Sequence, residues 1–281
     1  PLQHMLAGFK NFDPAVVKKL ACHPDLPGFA VEWAYKDGNS EQRKATGDLI
    51  VIAFYFLLCI GEYTTKTRRK RTRTRQFRGK DVTLFKSNKV GYLTALAHDA
   101  SEEDIMTADA ATLCISNQKS GVKRSCVHHE AIPGATLACP VRAIGRRIIH
   151  QRKHSKSGKA FLCTFWDSAG MANVTDKMIS YAVKFAASML SYELRGIPLD
   201  RVDTHSLRAG GACALALAGY RDRDIRKMGR WSPDSASFME YIQQQLSSFS
   251  KGMAANMSQV AQFTNMEGMA PREDLCATTL H

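Results

Sequence analysis

The residues best suited to chemistry gather in the last third of the chain. Thr204-His205-Ser206-Leu207-Arg208-Ala209-Gly210-Gly211-Ala212 sets a histidine and an arginine three apart, and on a helix such a pair shares a face and converges on one anion. Gly210 and Gly211 each cost about 1 kcal/mol relative to alanine inside a helix, so their presence predicts the close approach of another backbone. Further on, Met228-Gly229-Arg230-Trp231-Ser232-Pro233 precedes Tyr241, ten residues beyond the tryptophan. This set suits a phosphodiester. A side chain attacking phosphorus produces a five-coordinate transition state with added negative charge. Guanidinium forks and a Trp or His hydrogen bond stabilise that charge, and a Lys protonates the departing 5′ oxygen. A phenol is an apt nucleophile, because a phosphotyrosine keeps the bond energy for rejoining.

The charge distribution points to the same class of substrate. The 281 residues include 39 Lys and Arg against 26 Asp and Glu, a net charge of +13. Nine basic side chains and no acid lie between Lys66 and Lys80, which leaves +4 for the rest of the chain. Arg68, Arg69, Lys70, Arg71, Arg73 and Arg75 form the middle of this segment. It follows an apolar stretch and precedes the strand-like run Asp81-Val82-Thr83-Leu84-Phe85, so both ends are pinned. That setting predicts contact with the phosphate backbone of a nucleic acid rather than a free tail, with an affinity that falls steeply as salt rises.

Other function classes fall away. A chain that is 44% hydrophobic and 23% charged is neither disordered nor fibrous. The longest apolar run, Leu49 to Ile60, has 12 residues where a bilayer span needs about 20, so it predicts a buried helix and no membrane partner. Eight cysteines without paired CxxC spacing, behind an opening stretch with no signal-peptide pattern, predict reduced thiols and an intracellular location, nuclear if the source is eukaryotic. Asn173-Val174-Thr175 is accordingly not read as a glycosylation site. Cys126, His128, His129 and Cys139 lack the tight pairs of a metal centre, and Ser155-Lys156-Ser157-Gly158-Lys159 lacks phosphate-loop spacing, so neither a metal nor a nucleotide cofactor is expected. His150 and His154 read as a helix end facing phosphate or solvent.

The elements that must position these residues form an α+β, mainly helical chain. Residues 1–44 read as a linker from a preceding domain, 45–250 as the functional domain and 251–281 as a tail. Asp48 is placed to cap a helix running to about Tyr63. Residues 78–86, 111–118 and 123–132 predict a three-stranded antiparallel sheet whose last two strands form a hairpin turning at Lys119-Ser120-Gly121, with an irregular insert from Ser87 to Ala110. Pro140 suits the first turn of a helix to about Lys153. Ile179, Val183, Ala186 and Leu190 share a helix face, Thr204 caps a helix to Gly219, and a short helix spans 222–228. Asp234 opens a last helix through Tyr241 to about Ser250.

The series HxLRxGGA, then GRW, then Tyr resembles the C-terminal boxes of the tyrosine recombinase (phage-integrase-like) family, and most closely the recombinases of DIRS-type retrotransposons. The resemblance covers roughly residues 45–250. It implies that His205 and Arg208 bind the scissile phosphate, that Trp231 takes the His/Trp position, and that Tyr241 is the nucleophile. Asn117-Gln118-Lys119-Ser120-Gly121-Val122-Lys123 resembles the hairpin that carries the family's general-acid lysine, with Lys119 the first match and Lys123 the second. It further implies self-assembly on double-stranded DNA and no cofactor. One position departs from the pattern. In Leu58-Cys59-Ile60-Gly61-Glu62-Tyr63-Thr64, Glu62 fits the family's acid, and Cys59 stands where its first catalytic arginine is expected. The resemblance therefore implies either a DNA-cleaving recombinase or a DNA-binding relic of one that no longer cuts.

Overall fold

Along the chain, the described helices are α1 (Asp25–Lys36), α2 (Glu41–Tyr55), α3 (Ile60–Tyr63), α4 (Glu102–Met106), α5 (Pro140–His154), α6 (Asp176–Met189), α7 (Thr204–Leu217) and α8 (Asp222–Gly229). The strands are β1 (Val82–Ser87), β2 (Leu93–Ala95), β3 (Ala110–Ile115), β4 (Ser125–Glu130), β5 (Thr164–Asp167) and β6 (Gly170–Asn173). The structure is a computed structural model, and it describes residues 19–36, 40–66, 74–115, 125–134, 137–155 and 157–232, with Ser235 and Phe238.

Helix α2 is the axis of the fold. Ser40 caps it by accepting the Arg43 backbone N–H, and every residue from Ala45 to Phe54 is buried. A helix that is apolar on most faces belongs in a core, and α2 is covered by α1, α5, α6 and α7. The helix expected from Asp48 to Tyr63 is corrected on both ends: it starts at Glu41, stops at Tyr55, and resumes only as the single turn α3. Asp48 caps nothing. It is fully buried in mid-helix, 2.6 Å from Arg146 Nη2, and it accepts the Tyr35 hydroxyl at 3.0 Å. A carboxylate removed from water needs such partners.

The main sheet has four antiparallel strands in the order β2-β1-β3-β4, where three were expected. The additional strand, β2, and helix α4 both come from the stretch read as irregular. The residues of β2 are all exposed, so no alternation of apolar side chains marked them. Cys114 on β3 stands opposite Cys126 on β4, and the two are joined in a disulfide, which corrects the expectation of reduced thiols for this pair. Among the described residues, Cys22, Cys59, Cys139, Cys163 and Cys213 form no disulfide. A second, unexpected hairpin of β5 and β6 is tied to α5 by the buried Arg147, which donates to the carbonyls of Leu162 and Thr164. Among the described residues no helix is long and apolar enough to cross a membrane.

Helix α7 starts one residue after its cap. Asp203, rather than the expected Thr204, accepts the first backbone N–H at 2.7 Å, and the helix ends at Leu217 rather than Gly219. The prediction of close approach at its glycines holds. A Cβ on Gly210 would overlap the carbonyl oxygen of Cys22, and one on Gly211 would overlap that of Phe54 in α2. The helix expected from Asp234 onward falls, apart from Ser235 and Phe238, outside the described residues.

Gly211→Ala should therefore destabilise the protein by about 2 kcal/mol in urea unfolding, although alanine is the better helix former by about 1 kcal/mol. An unchanged midpoint would show that α7 is not seated against α2.

Candidate functional site

The site is built around the turn that follows α2. The chain passes through Phe56, Leu57 and Leu58 before α3, and Leu57 adopts a φ of 50°. That left-handed conformation costs a leucine about 1–2 kcal/mol and marks a position held by its surroundings. Part of the hold comes from β4: the His129 ring packs edge-on against Phe56 with centroids 4.7 Å apart, and its Nε2 lies 2.7 Å from the Tyr55 carbonyl. The turn leaves the carbonyls of Phe56 and Leu57 facing two guanidinium groups.

The first belongs to Arg208, one turn into α7 and only 8% exposed. It donates to the Leu57 carbonyl and to the Gly229 carbonyl at the end of α8, and its Cζ lies 4.2 Å from the centre of the Trp231 ring. The second belongs to Arg230, also 8% exposed. Its Nη2 lies 2.9 Å from Glu62 Oε2 and 3.2 Å from the Leu57 carbonyl, while Nη1 reaches the carbonyls of Phe56 and Met228 at 3.3 Å each. Glu62 is buried as well, and the same Oε2 accepts the Cys59 backbone N–H at 2.8 Å. Burial, together with the Arg208 charge, pulls the Arg230 pKa down, and the Glu62 carboxylate opposes them. Two arginines and one carboxylate thus share a dry centre with one surplus positive charge.

The GRW sequence now has a physical reading. A Cβ on Gly229 would fall inside the Trp231 ring, so glycine is what lets the indole fold back beneath Arg208. Arg230 is the αL cap of α8, with φ of 59°, and that backbone turn sends its side chain toward Glu62. Trp231 rests on Phe238 with ring centres 5.4 Å apart.

Of the residues expected at the site, Arg208, Trp231 and Glu62 come together, with Cys59 exposed at the edge. His205 is exposed on the first turn of α7 and Arg75 is exposed within the basic segment. Tyr241, Lys119, Lys123, Arg68, Arg69, Lys70, Arg71 and Arg73 lie outside the described residues. The basic segment is nevertheless anchored where it enters and leaves. Side-chain atoms of both Lys66 and Thr74 come within 4 Å of where a Cβ on Gly61 would stand, and the Phe77 N–H donates to the Glu62 carbonyl at 2.9 Å. Arg230 had no role in the sequence reading. The one signal for it was its place between Gly229 and Trp231, where it read as part of a spacing rather than as a cation.

The weaker candidates have other occupations. Cys126 is in the disulfide, His128 Nδ1 is 2.9 Å from the Thr112 hydroxyl, and Cys139 Sγ accepts the Ile132 N–H. Among the described residues no group of His, Cys, Asp or Glu is arranged to hold a metal ion. His154 stacks on Trp166, and His150 accepts the Trp166 N–H while its other ring nitrogen sits 3.1 Å from Glu41. Burial and the Arg147 charge push the His150 pKa down to about 4.

No protein-family model matches the chain, and no curated protein sequence matches it. Solved structures do. The chain is similar to the XerH site-specific recombinase bound to palindromic difH substrate in a post-cleavage complex, at 14% identity and a TM-score of 0.49, over 87% of this chain and 54% of that one. It is also similar to the Tn1549 transposon integrase in complex with transposon right end DNA, at 15% identity and a TM-score of 0.42, over 89% of this chain and 68% of that one. The chain spans about half the length of the XerH chain it matches.

Gly229→Ala should push the indole of Trp231 off Arg208, red-shift tryptophan emission and lower stability by about 1–3 kcal/mol. An unshifted spectrum would show that the ring is not packed there. Acid should loosen the turn. Burial holds the His129 pKa below its ordinary value of 6.5, so the unfolded chain is the better proton acceptor. Stability contributed by neutral His129 is then complete above pH 6.5 and is lost as the pH falls below it. His129→Gln should flatten that loss in urea titrations at successive pH values.

Proposed function

We propose that this chain is a tyrosine recombinase catalytic domain, spanning about residues 45–250, that breaks and rejoins DNA through a 3′-phosphotyrosyl intermediate. The observation that carries the reading is the convergence of Arg208 and Trp231 with Glu62 in one buried, positively charged centre. Two arginines sequestered together are costly unless an anion completes them, and a phosphodiester is the anion that the basic segment beside Gly61 would draw in.

In this mechanism Tyr241 gives up its phenolic proton to solvent and attacks the phosphorus, forming the phosphotyrosyl bond as the bond to the 5′ oxygen breaks. Lys119 delivers a proton to that oxygen, with Lys123 the alternative donor. Arg208, His205 and Trp231 hold the phosphate oxygens while charge builds on them, and the reverse attack by a 5′ hydroxyl reseals the strand. No cofactor enters, because the covalent link stores the energy. The cations from Lys66 to Lys80 neutralise backbone phosphates of duplex DNA and position it. Protomers assemble on the DNA to exchange strands, inside the cell and in the nucleus of a eukaryotic host. The source is a mobile element of the DIRS retrotransposon type. A second reading, a DNA-binding relic that no longer cuts, is favoured by one observation: Cys59, beside Glu62, carries a thiol where a cation is expected.

A nicked suicide duplex separates the two. The wild-type chain should form a protein–DNA adduct that survives denaturation, and Tyr241→Phe should form none. A wild type without adduct that still binds duplex would establish the relic, and an adduct surviving in Tyr241→Phe would remove Tyr241 as nucleophile. In either reading the logarithm of duplex affinity should fall linearly with the logarithm of salt concentration. A flat response would reject the basic segment as the DNA contact.

A further inference from the structure

Two guanidinium groups meet at the site, and only Arg208 occupies a position that the sequence comparison with the recombinase boxes assigned. The other expected cation is missing at Cys59. Glu62, the acid that should accompany it, is buried and holds Arg230 instead. We propose that Arg230 is the second phosphate-holding cation of this site, supplied through space from the end of α8 in place of the one lacking at position 59, with Glu62 as its anchor. The assignment rests on the recombinase reading for the identity of the anion.

Five observations carry it. The groups are contiguous: Arg208 and Arg230 both donate to the Leu57 carbonyl, and Glu62 Oε2 binds both the Arg230 guanidinium and the Cys59 backbone. The charge is the right one: without Arg230, Glu62 would cancel Arg208 and leave a neutral centre, and with it one positive charge remains for an anion. The bonds differ in strength. The 2.9 Å contact to Glu62 is of ordinary length, whereas those to Phe56, Met228 and Leu57 are stretched to 3.2–3.3 Å and are the ones a phosphate oxygen can replace. Arg230 Nε, moreover, has no hydrogen-bond partner among the described residues although it is buried. The backbone gives the last indication. Residue 230 caps α8 in the left-handed region, where glycine is the least strained choice, so a long cation there is held for its side chain.

Orthovanadate, a phosphate-shaped anion, tests the proposal without requiring DNA cleavage. Its binding to the full chain is measured by calorimetry in high salt, which screens exposed cations such as Lys66 and Arg75. Arg230→Met combined with Glu62→Gln replaces the buried pair by neutral groups of similar volume, so the fold is kept. This double variant should bind vanadate about 10-fold more weakly or worse while melting near the wild-type temperature. Arg230→Met combined with Cys59→Arg returns a cation beside Glu62 and should recover most of that loss. Arg230→Lys keeps the charge without the fork and should fall between.

Wild-type vanadate affinity in the Arg230→Met/Glu62→Gln variant would overturn the proposal and leave Arg230 as a packing partner of Glu62. Failure of Cys59→Arg to restore binding would overturn the exchange of positions. The suicide duplex, run on the same proteins, separates this inference from the reading beneath it. No wild-type adduct with the vanadate pattern intact would sink the recombinase and keep Arg230 as the anion holder. A wild-type adduct undiminished in Arg230→Met/Glu62→Gln would do the reverse.

Discussion

The centre of this molecule depends on keeping two arginines charged with almost no access to water. Three sources of negative potential make that feasible. Glu62 supplies a full charge to Arg230. The Phe56 and Leu57 carbonyls stand just beyond the C-terminal end of α2, and the Met228 and Gly229 carbonyls belong to the C-terminal end of α8. Each helix end carries about half a negative charge in unpaired carbonyls, and those are the groups that the two guanidiniums bind. Two helix termini and one carboxylate thus offset two cations. Removing any one of them leaves a buried charge exposed to the full cost of desolvation, which runs to about 3–5 kcal/mol for a broken buried pair.

The rest of the scaffold serves to bring those helix ends together. Helix α2 is buried along most of its length, so its C-terminus is fixed in place by the whole core. Helix α7 presses on it through Gly211, which meets the Phe54 carbonyl, and on the segment before α1 through Gly210, which meets the Cys22 carbonyl, and this sets the depth at which Arg208 emerges. Strand β4 braces the same turn through His129, so the ring of His129 connects the main sheet to the site. Gly229 completes the arrangement by leaving room for Trp231 to fold beneath Arg208. Three glycines therefore place one arginine, each by absence of a side chain at a point of contact.

The site and its scaffold were legible in the sequence to different degrees, and the differences have physical causes. The glycines of α7 announced a close approach because a helix tolerates them only for a reason, and Pro140 and the spacing of Ile179, Val183 and Ala186 marked α5 and α6 by local rules. Strand β2 was not legible, since all three of its residues are exposed and its identity comes from pairing with β1. Asp48 misled because an aspartate before an apolar run is the usual sign of a cap; only the distant Arg146 turns it into a buried ion pair. The disulfide depended on register, as Cys114 and Cys126 are opposed only once β3 and β4 pair. Arg230 belongs with these. A left-handed cap and a carboxylate 168 residues away in sequence decide its role, and neither is a local property.

That last case bears on how charge is provided at such a centre. A cation at position 59 would be fixed by α2 and α3 alone, whereas Arg230 arrives from α8, the element that also carries Gly229 and Trp231. The indole, the Arg208 acceptor and the second cation consequently move as one unit, and any shift of α8 changes all three together. The exposed cations Lys66, Arg75 and Lys80 work differently. Lys66 and Thr74, the described residues on either side of the basic run, both come within 4 Å of where a Cβ on Gly61 of α3 would stand, next to the buried pair. Screened charges attract a polyanion over a Debye length of about 8 Å at physiological salt, and dry charges discriminate at contact. On the proposed reading, recruiting a phosphate backbone and then acting on a single phosphorus calls for both kinds of charge.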